Sequence, residues 1–187
     1  MEDKPQIVSL RYYGISPWEI EVIYNIFNKK FEVIQDVIER DEYLRHLGSK
    51  SLQMDCEECV SALTITIPLP FSEEFFKWFE FREWDNVKHI IKEMKRRRGK
   101  GNAIIVEILF TGDPDVRFVT DLSENHNFNS AIEKIDSVVE LLPYHLNDNN
   151  IPNDLSEAVY KYDIESGRWR LNSVLVGQKK ISLTKKG

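Results

Sequence analysis

The sequence predicts an α+β fold, with a mixed, largely antiparallel sheet and about three helices in the order β-α-β-α-β-β-α-β-β. Three observations predict it. Short runs rich in β-branched and aromatic residues alternate with longer stretches whose apolar residues recur at helical spacing. Serine and glutamate capping signals stand at the start of helical stretches. Turn residues such as glycine, proline and aspartate separate neighbouring strands.

The first strand and the first helix are predicted within residues 7–38. Residues 7–13 read as a strand, and Ser16, Pro17 and Glu19 supply the N-cap, the first helical position and the capping box of a helix. A single long helix is favoured, because apolar residues then recur at steps of three, one and four: Ile20, Ile23, Tyr24, Phe27, Phe31, Ile34 and Ile38. The alternative is a break at residues 28–30 that leaves residues 31–34 as a strand.

The second helix is predicted over residues 72–98, after a polar loop at 48–58 and a strand at 60–67. Acidic residues occupy its first turn and basic residues its last, as the helix dipole favours, and Gly99 ends it. The run 102–110 is almost wholly apolar apart from Glu107. That run predicts a strand buried on both faces.

The third helix follows a hairpin whose turn is at residues 111–115 and whose returning strand is at 116–120. Ser130 and Glu133 read as a capping box, and Pro143 is expected to stop the helix. Five apolar residues would form its inner stripe: Ile132, Ile135, Val138, Val139 and Leu142.

The last part of the chain predicts a loop at 147–153 and a hairpin made of residues 158–164 and 168–176. The basic tail from Gly177 is expected to be frayed.

The whole chain, residues 1–187, is predicted to be a single α+β domain. The loop near residue 150 leaves open a C-terminal hairpin lobe at 154–187. The single domain is favoured, since an isolated hairpin is barely stable in water.

Composition narrows the classes of function. The chain has 187 residues, 31 acidic and 25 basic side chains and a net charge of −6, which argues against a surface built entirely for nucleic acid. Two cysteines are too few for a disulfide-rich secreted scaffold, and no apolar run is long enough for a membrane span. The N-terminal residues lack the pattern of a signal peptide, so a cytoplasmic protein without membrane contact is expected. No cofactor is predicted, and the oligomeric state is left open.

A basic cluster at the end of the second helix is the first candidate site. Residues 88–100 carry a net charge of +6 on an otherwise acidic chain. Such a cluster can hold phosphate groups, although cations at a helix C-terminus also stabilise the helix dipole. The candidate binding residues are Lys92, Lys95, Arg96, Arg97, Arg98 and Lys100.

An aromatic cluster lies directly before the basic one. Seven of the 21 aromatic residues fall within residues 71–84, and they project from more than one side of the predicted helix. Either the helix is sandwiched between layers or some rings form a contact surface. The rings in question are Phe71, Phe75, Phe76, Trp78, Phe79, Phe81 and Trp84, of which Trp78, Phe81 and Trp84 are the candidate binding residues.

Two further groups have weaker signals. Cys56 and Cys59 have the spacing of a zinc or dithiol motif, but no second pair completes it, so a reduced structural pair is favoured. Asp113, Asp115 and His126, with Asp121 and Glu124 nearby, could form a metal or acid–base site, although the two aspartates are equally typical of a turn. No catalytic residue is assigned.

These observations lead to three hypotheses. The leading one is a non-enzymatic binding or regulatory protein that contacts another macromolecule, such as an immunity-type inhibitor of a basic enzyme, because an acidic surface steers basic partners. The second is a single-stranded nucleic-acid-binding protein that uses the aromatic and basic clusters. The third is a metal-dependent enzyme with an Asp/His site.

Overall fold

The computed structural model describes residues 6–49, 61–68, 82–99, 103–146, 154–177 and 179–183. They form an α+β fold around one eight-stranded mixed sheet, which confirms the predicted class, but they include five helices where about three were expected, and the element order differs from the predicted one. In chain order the described elements are β1 (Ile7–Tyr13), α1 (Pro17–Phe27), β2 (Glu32–Val37), α2 (Arg40–Ser49), β3 (Ser61–Ile67), α3 (Glu83–Arg98), β4 (Ile104–Phe110), β5 (Asp115–Thr120), α4 (Asn125–Glu133), α5 (Ile135–His145), β6 (Leu155–Asp163), β7 (Arg168–Val176) and β8 (Lys179–Ser182).

The strands lie in the order β2-β1-β3-β4-β5-β6-β7-β8, so β2 and β8 are the edges of the sheet. Three neighbouring pairs are parallel, namely β1–β2, β3–β4 and β5–β6. The other four pairs are antiparallel. A parallel pair needs a long crossover, and in each of the three pairs helical residues lie between the two strands along the chain.

The two faces of the sheet are covered differently. On the first, α1, α3, α4 and α5 pack their apolar stripes against inward-facing strand residues in one large core. On the second face, which we call the α2 face, Tyr43 of α2 packs in a smaller cluster with Ala62, Ile105 and Val119. The strand β4 is buried on both faces, as predicted, because helices cover one side and α2 with its neighbours covers the other.

The long first helix predicted from the apolar stripe is wrong. The helix α1 ends at Phe27, and residues 32–37 form the edge strand β2, parallel to β1. The alternative break at residues 28–30 is the one observed. The apolar stripe predicted a continuous helix because Phe27 and Phe31 both lie in the core. In the structure, Phe31 belongs to the turn that leads into β2.

Several other predicted boundaries also differ. The predicted second helix is seen as α3 over Glu83–Arg98, and its predicted start at Ser72 lies outside the described residues. The predicted third helix is two helices, since a turn at Lys134 separates α4 from α5, so Ser130 lies inside α4 and caps nothing. Pro143 lies inside the last turns of α5 and does not stop it.

The C-terminal hairpin is confirmed as β6 and β7, and it continues the main sheet because β6 pairs with β5. The predicted fraying from Gly177 is wrong for residues 179–182, which form β8 on β7. The predicted loop at residues 147–153 lies outside the described residues.

Candidate functional site

The described cations of the basic cluster contact other groups of the same chain. Arg98 forms a buried ion pair with Glu19 of α1, at 3.1 Å between Nη1 and Oε1, and its Nε donates to Ser61 Oγ at 2.7 Å. Its Nη1 also donates to the carbonyl of Met94 at 2.9 Å. This guanidinium therefore ties the C-terminal end of α3 to the N-terminal turn of α1 and to β3.

The other described cations of the cluster also have partners. Lys92 pairs with Glu133 of α4, and Arg96 pairs with Glu93 at 2.7 Å. Arg97 lies over the ring of Trp18, at 4.2 Å from its centroid. Lys95 is fully buried, 5.7 Å from the centre of the Phe128 ring, and burial lowers the pKa of its amine. Lys100 lies outside the described residues.

The one described member of the aromatic cluster is part of the core. Trp84 is 1% exposed, and its Nε1 donates to Asp136 Oδ1 of α5 at 2.6 Å. The same carboxylate accepts from Lys88 Nζ at 2.6 Å, so α3 and α5 share one buried polar junction. Trp78 and Phe81 lie outside the described residues, as do Phe71, Phe75, Phe76 and Phe79.

The candidate metal residues lie in different elements: Asp113 in the turn after β4, Asp115 at the start of β5 and His126 in α4. Asp115 Oδ1 accepts from the backbone N–H of Gly112 at 2.9 Å, which is the turn role that the sequence allowed. Within residues 6–49, 61–68, 82–99, 103–146, 154–177 and 179–183, no three His, Cys, Asp or Glu side chains are grouped to hold a metal ion. Cys56 and Cys59 lie outside these ranges.

A buried charged network on the α2 face was missed from the sequence. Arg117 of β5 is 4% exposed at its side chain and pairs with Glu107 of β4, at 2.8 Å, and with Glu157 of β6. Thr64 Oγ1 donates to Glu107 Oε2 at 3.4 Å and lies 3.4 Å from the hydroxyl of Tyr43. Burial alone would lower the pKa of the Arg117 guanidinium. The carboxylates of Glu107 and Glu157 outweigh this effect and raise the pKa above its ordinary value. A lone glutamate in an apolar strand, with an arginine in the next strand, is the signal that could have identified this network.

The two edges of the sheet differ in how they meet solvent. The strand β8 has only four residues and begins with two lysines, Lys179 and Lys180, which is a common protection of an edge strand against pairing. The strand β2 is longer and carries two exposed β-branched residues, Ile34 at 48% and Val37 at 71%. Its outer edge is therefore the less protected of the two.

The direction of the β2 backbone groups follows from its bonds to β1. The N–H groups of Glu32 and Ile38 donate to the carbonyls of Gln6 and Tyr12, at 3.1 and 3.0 Å. Because the backbone of a strand has a period of two, the N–H and C=O groups of residues 33, 35 and 37 point away from β1. These groups are positioned to pair with one more strand.

The charge around this edge is negative. Residues 32–42 contain five acidic side chains and one basic side chain, which gives a net charge of −4. Asp36 is paired with Arg11 of β1 at 2.8 Å, whereas Glu32, Glu39, Asp41 and Glu42 are exposed. We call β2 together with residues 38–42 the acidic edge. This edge was not predicted, because residues up to Ile38 were placed in the long first helix.

Comparison with known proteins supplies no further guide to the site. The chain matches no protein-family model, no curated protein and no solved structure. None of the helices in the described parts of the chain is long and apolar enough to cross a membrane.

Proposed function

We propose that this protein is a non-enzymatic binding protein that captures an extended, basic segment of a partner protein on the acidic edge. The segment would add a strand to the sheet beside β2, with backbone hydrogen bonds to residues 33, 35 and 37. The observation that carries the proposal is the outer edge of β2, which pairs with no further strand among the described residues and has Ile34 and Val37 exposed beside it.

The chemistry of the edge favours a basic partner. A net charge of −4 over residues 32–42 complements lysine and arginine side chains on an incoming strand. The alternate side chains of that strand would contact Val37 on one face of the sheet and Ile34 on the other. The net charge of −6 of the whole chain would accelerate the encounter.

The partner class that fits best is a basic enzyme, with this protein acting as an immunity-type inhibitor. Charge complementarity gives such an inhibitor its specificity and its rate of association, and it needs no catalytic group of its own. The alternative of single-stranded nucleic-acid binding has less support, because the described cations of the basic cluster contact groups of the same chain.

A model peptide tests the proposal. A labelled peptide of alternating lysine and valine, about ten residues long, is long enough to span an average strand. We expect saturable binding by fluorescence anisotropy, weakened by added salt, and slowed amide exchange at residues 33, 35 and 37. A peptide of alternating glutamate and valine should not bind.

Substitutions at Val37 separate edge pairing from other modes of binding. Val37→Pro removes an outward N–H group but no hydrogen bond to β1, and should weaken binding by about tenfold or more. Val37→Thr keeps the N–H and a β-branched side chain, and should bind like the unmodified protein. Equal binding by the proline variant, exchange protection at β8 instead of β2, or no binding at low salt would each contradict the proposal.

A further inference from the structure

We infer that a second site, distinct from the acidic edge, binds a small organic anion with an apolar body. The site is a groove of about 690 Å³ between α5 and the turn that joins β6 to β7. We call it the α5 groove. Its volume lies within the range of about 300–1,000 Å³ that is usual for small-molecule sites.

The basic groups of the α5 groove come from two elements. Lys134 and His145 stand at the two ends of α5, and Arg168 opens β7 on the opposite wall. Among the described residues, no carboxylate lines the groove. On a chain with a net charge of −6, such a local excess of basic groups is unexpected, and it complements an anion.

Lys134 is held in place by the turn. Its Nζ donates to the carbonyl of Gly167 at 2.7 Å and lies 6.0 Å from the centre of the Tyr162 ring. Gly167 has φ +62°, a conformation that glycine adopts without strain, and this brings the turn against the helix. Of the acidic residues near the turn, Asp163 is paired with Arg170 at 2.7 Å, and Glu165 is exposed and does not line the groove.

The walls of the groove between Lys134, His145 and Arg168 are apolar. Val138 and Leu141 lie on the same side of α5 as Lys134 and His145, since these positions are separated by three or four residues. Leu141 is 48% exposed, and the ring of Trp169 closes the opposite side. Exposed apolar surface flanked by cations fits an aliphatic or aromatic carboxylate, phosphate or sulfonate better than it fits a bare ion.

Anilinonaphthalene sulfonate is a direct probe, because it joins a sulfonate to an aromatic body. We expect the folded full-length protein to bind it at one site, with a rise in fluorescence. Arg168→Gln should weaken that binding about tenfold, as loss of a charged hydrogen bond does, and Leu141→Ser should weaken it by a similar factor. Lys179→Gln, which changes an exposed cation of β8 outside the groove, should leave binding unchanged.

Competition identifies which part of the ligand is recognised. Octanoate should displace the probe, whereas inorganic phosphate and octanol should not do so at the same concentration. Displacement by phosphate alone would reveal a bare anion site, and displacement by octanol would reveal a purely apolar one. Either result, or equal probe binding by Arg168→Gln and the unmodified protein, would overturn the inference. Val37→Pro at the acidic edge should bind the probe normally, so the two proposals can fail separately.

Discussion

Arg117 shows how a single residue can set the stability of the α2 face. Its guanidinium lies between Glu107 and Glu157 and is 4% exposed, so all three charges depend on one another for compensation. Glu107 Oε1 has no hydrogen-bond partner within the described structure, so this carboxylate is incompletely satisfied even with Arg117 present. Removing the arginine would leave a buried charge with little to offset its desolvation.

We therefore predict that Arg117→Met lowers the free energy of unfolding by about 3–5 kcal/mol. Urea denaturation followed by circular dichroism measures the change. Arg170→Gln is the matched control, because Arg170 is 66% exposed and its pair with Asp163 should contribute no more than about 1 kcal/mol. A loss below about 1 kcal/mol for Arg117→Met would mean that water compensates Glu107 in solution.

At the scale of elements, the pair Glu19–Arg98 joins α1 to α3. Glu19 Oε2 accepts from the backbone N–H of Ser16 at 3.2 Å, which completes the predicted capping box, and both its oxygens accept from Arg98. Burial alone would raise the pKa of Glu19, but the hydrogen bonds from Arg98 and Ser16 and the charge of Arg98 lower it below its ordinary value of 4.5.

This lowered pKa gives a pH-dependent prediction. The unfolded chain binds a proton at Glu19 more readily than the folded one, so the stabilisation is complete above the ordinary pKa and is lost as the pH falls through the folded pKa. At pH 7, Glu19→Gln should cost about 1.5–3 kcal/mol. The difference from the unmodified protein should narrow below about pH 4.5.

Urea denaturation at a series of pH values measures that difference. Glu21→Gln changes an exposed glutamate of the same helix and should stay within about 0.5 kcal/mol of the unmodified protein at pH 7. A difference for Glu19→Gln that stays constant down to pH 3 would argue against the link between the ion pair and stability.

The elements also show what local sequence can and cannot predict. The strand β4 and the hairpin of β6 and β7 were predicted because their apolar runs and turn residues act locally. The end of α1 was not, because helical spacing continues from Phe27 through Phe31 while the parallel pairing of β2 with β1 decides the conformation of the next residues. Local periodicity cannot encode a partner strand that lies about 25 residues away in the chain.

The candidate sites were harder to predict for the same reason. The basic cluster is obvious in the sequence, but its ion pairs with Glu19, Glu93 and Glu133 involve other helices as well as its own. The acidic edge and the α5 groove exist only after strand order and helix packing are known. The charge pattern therefore predicted where the cations lie in the sequence. Which of them are left to contact a ligand depends on the fold.

At the scale of the whole molecule, the sheet connects the C-terminal hairpin to the rest of the fold. The strand β6 pairs with β5 over residues 115–119, and Trp169 of β7 packs edge-on to Phe118 at 5.2 Å between ring centroids. The indole N–H of Trp169 donates to the carbonyl of Ala131 in α4 at 2.8 Å. Backbone pairing, ring packing and a buried hydrogen bond thus join the hairpin to both the sheet and the helices.

We predict from these contacts that the chain unfolds in one cooperative transition. Urea curves followed by far-ultraviolet circular dichroism and by tryptophan fluorescence should coincide, because the ring contacts of Trp169 and the helices would be lost together. Trp169→Phe should lower the midpoint through loss of the Ala131 hydrogen bond while the two curves still coincide. An early fluorescence change, lost in Trp169→Phe, would instead mark residues 154–187 as a separate lobe. In that case the α5 groove, whose walls come from α5 and from the hairpin, would open before the rest of the molecule unfolds.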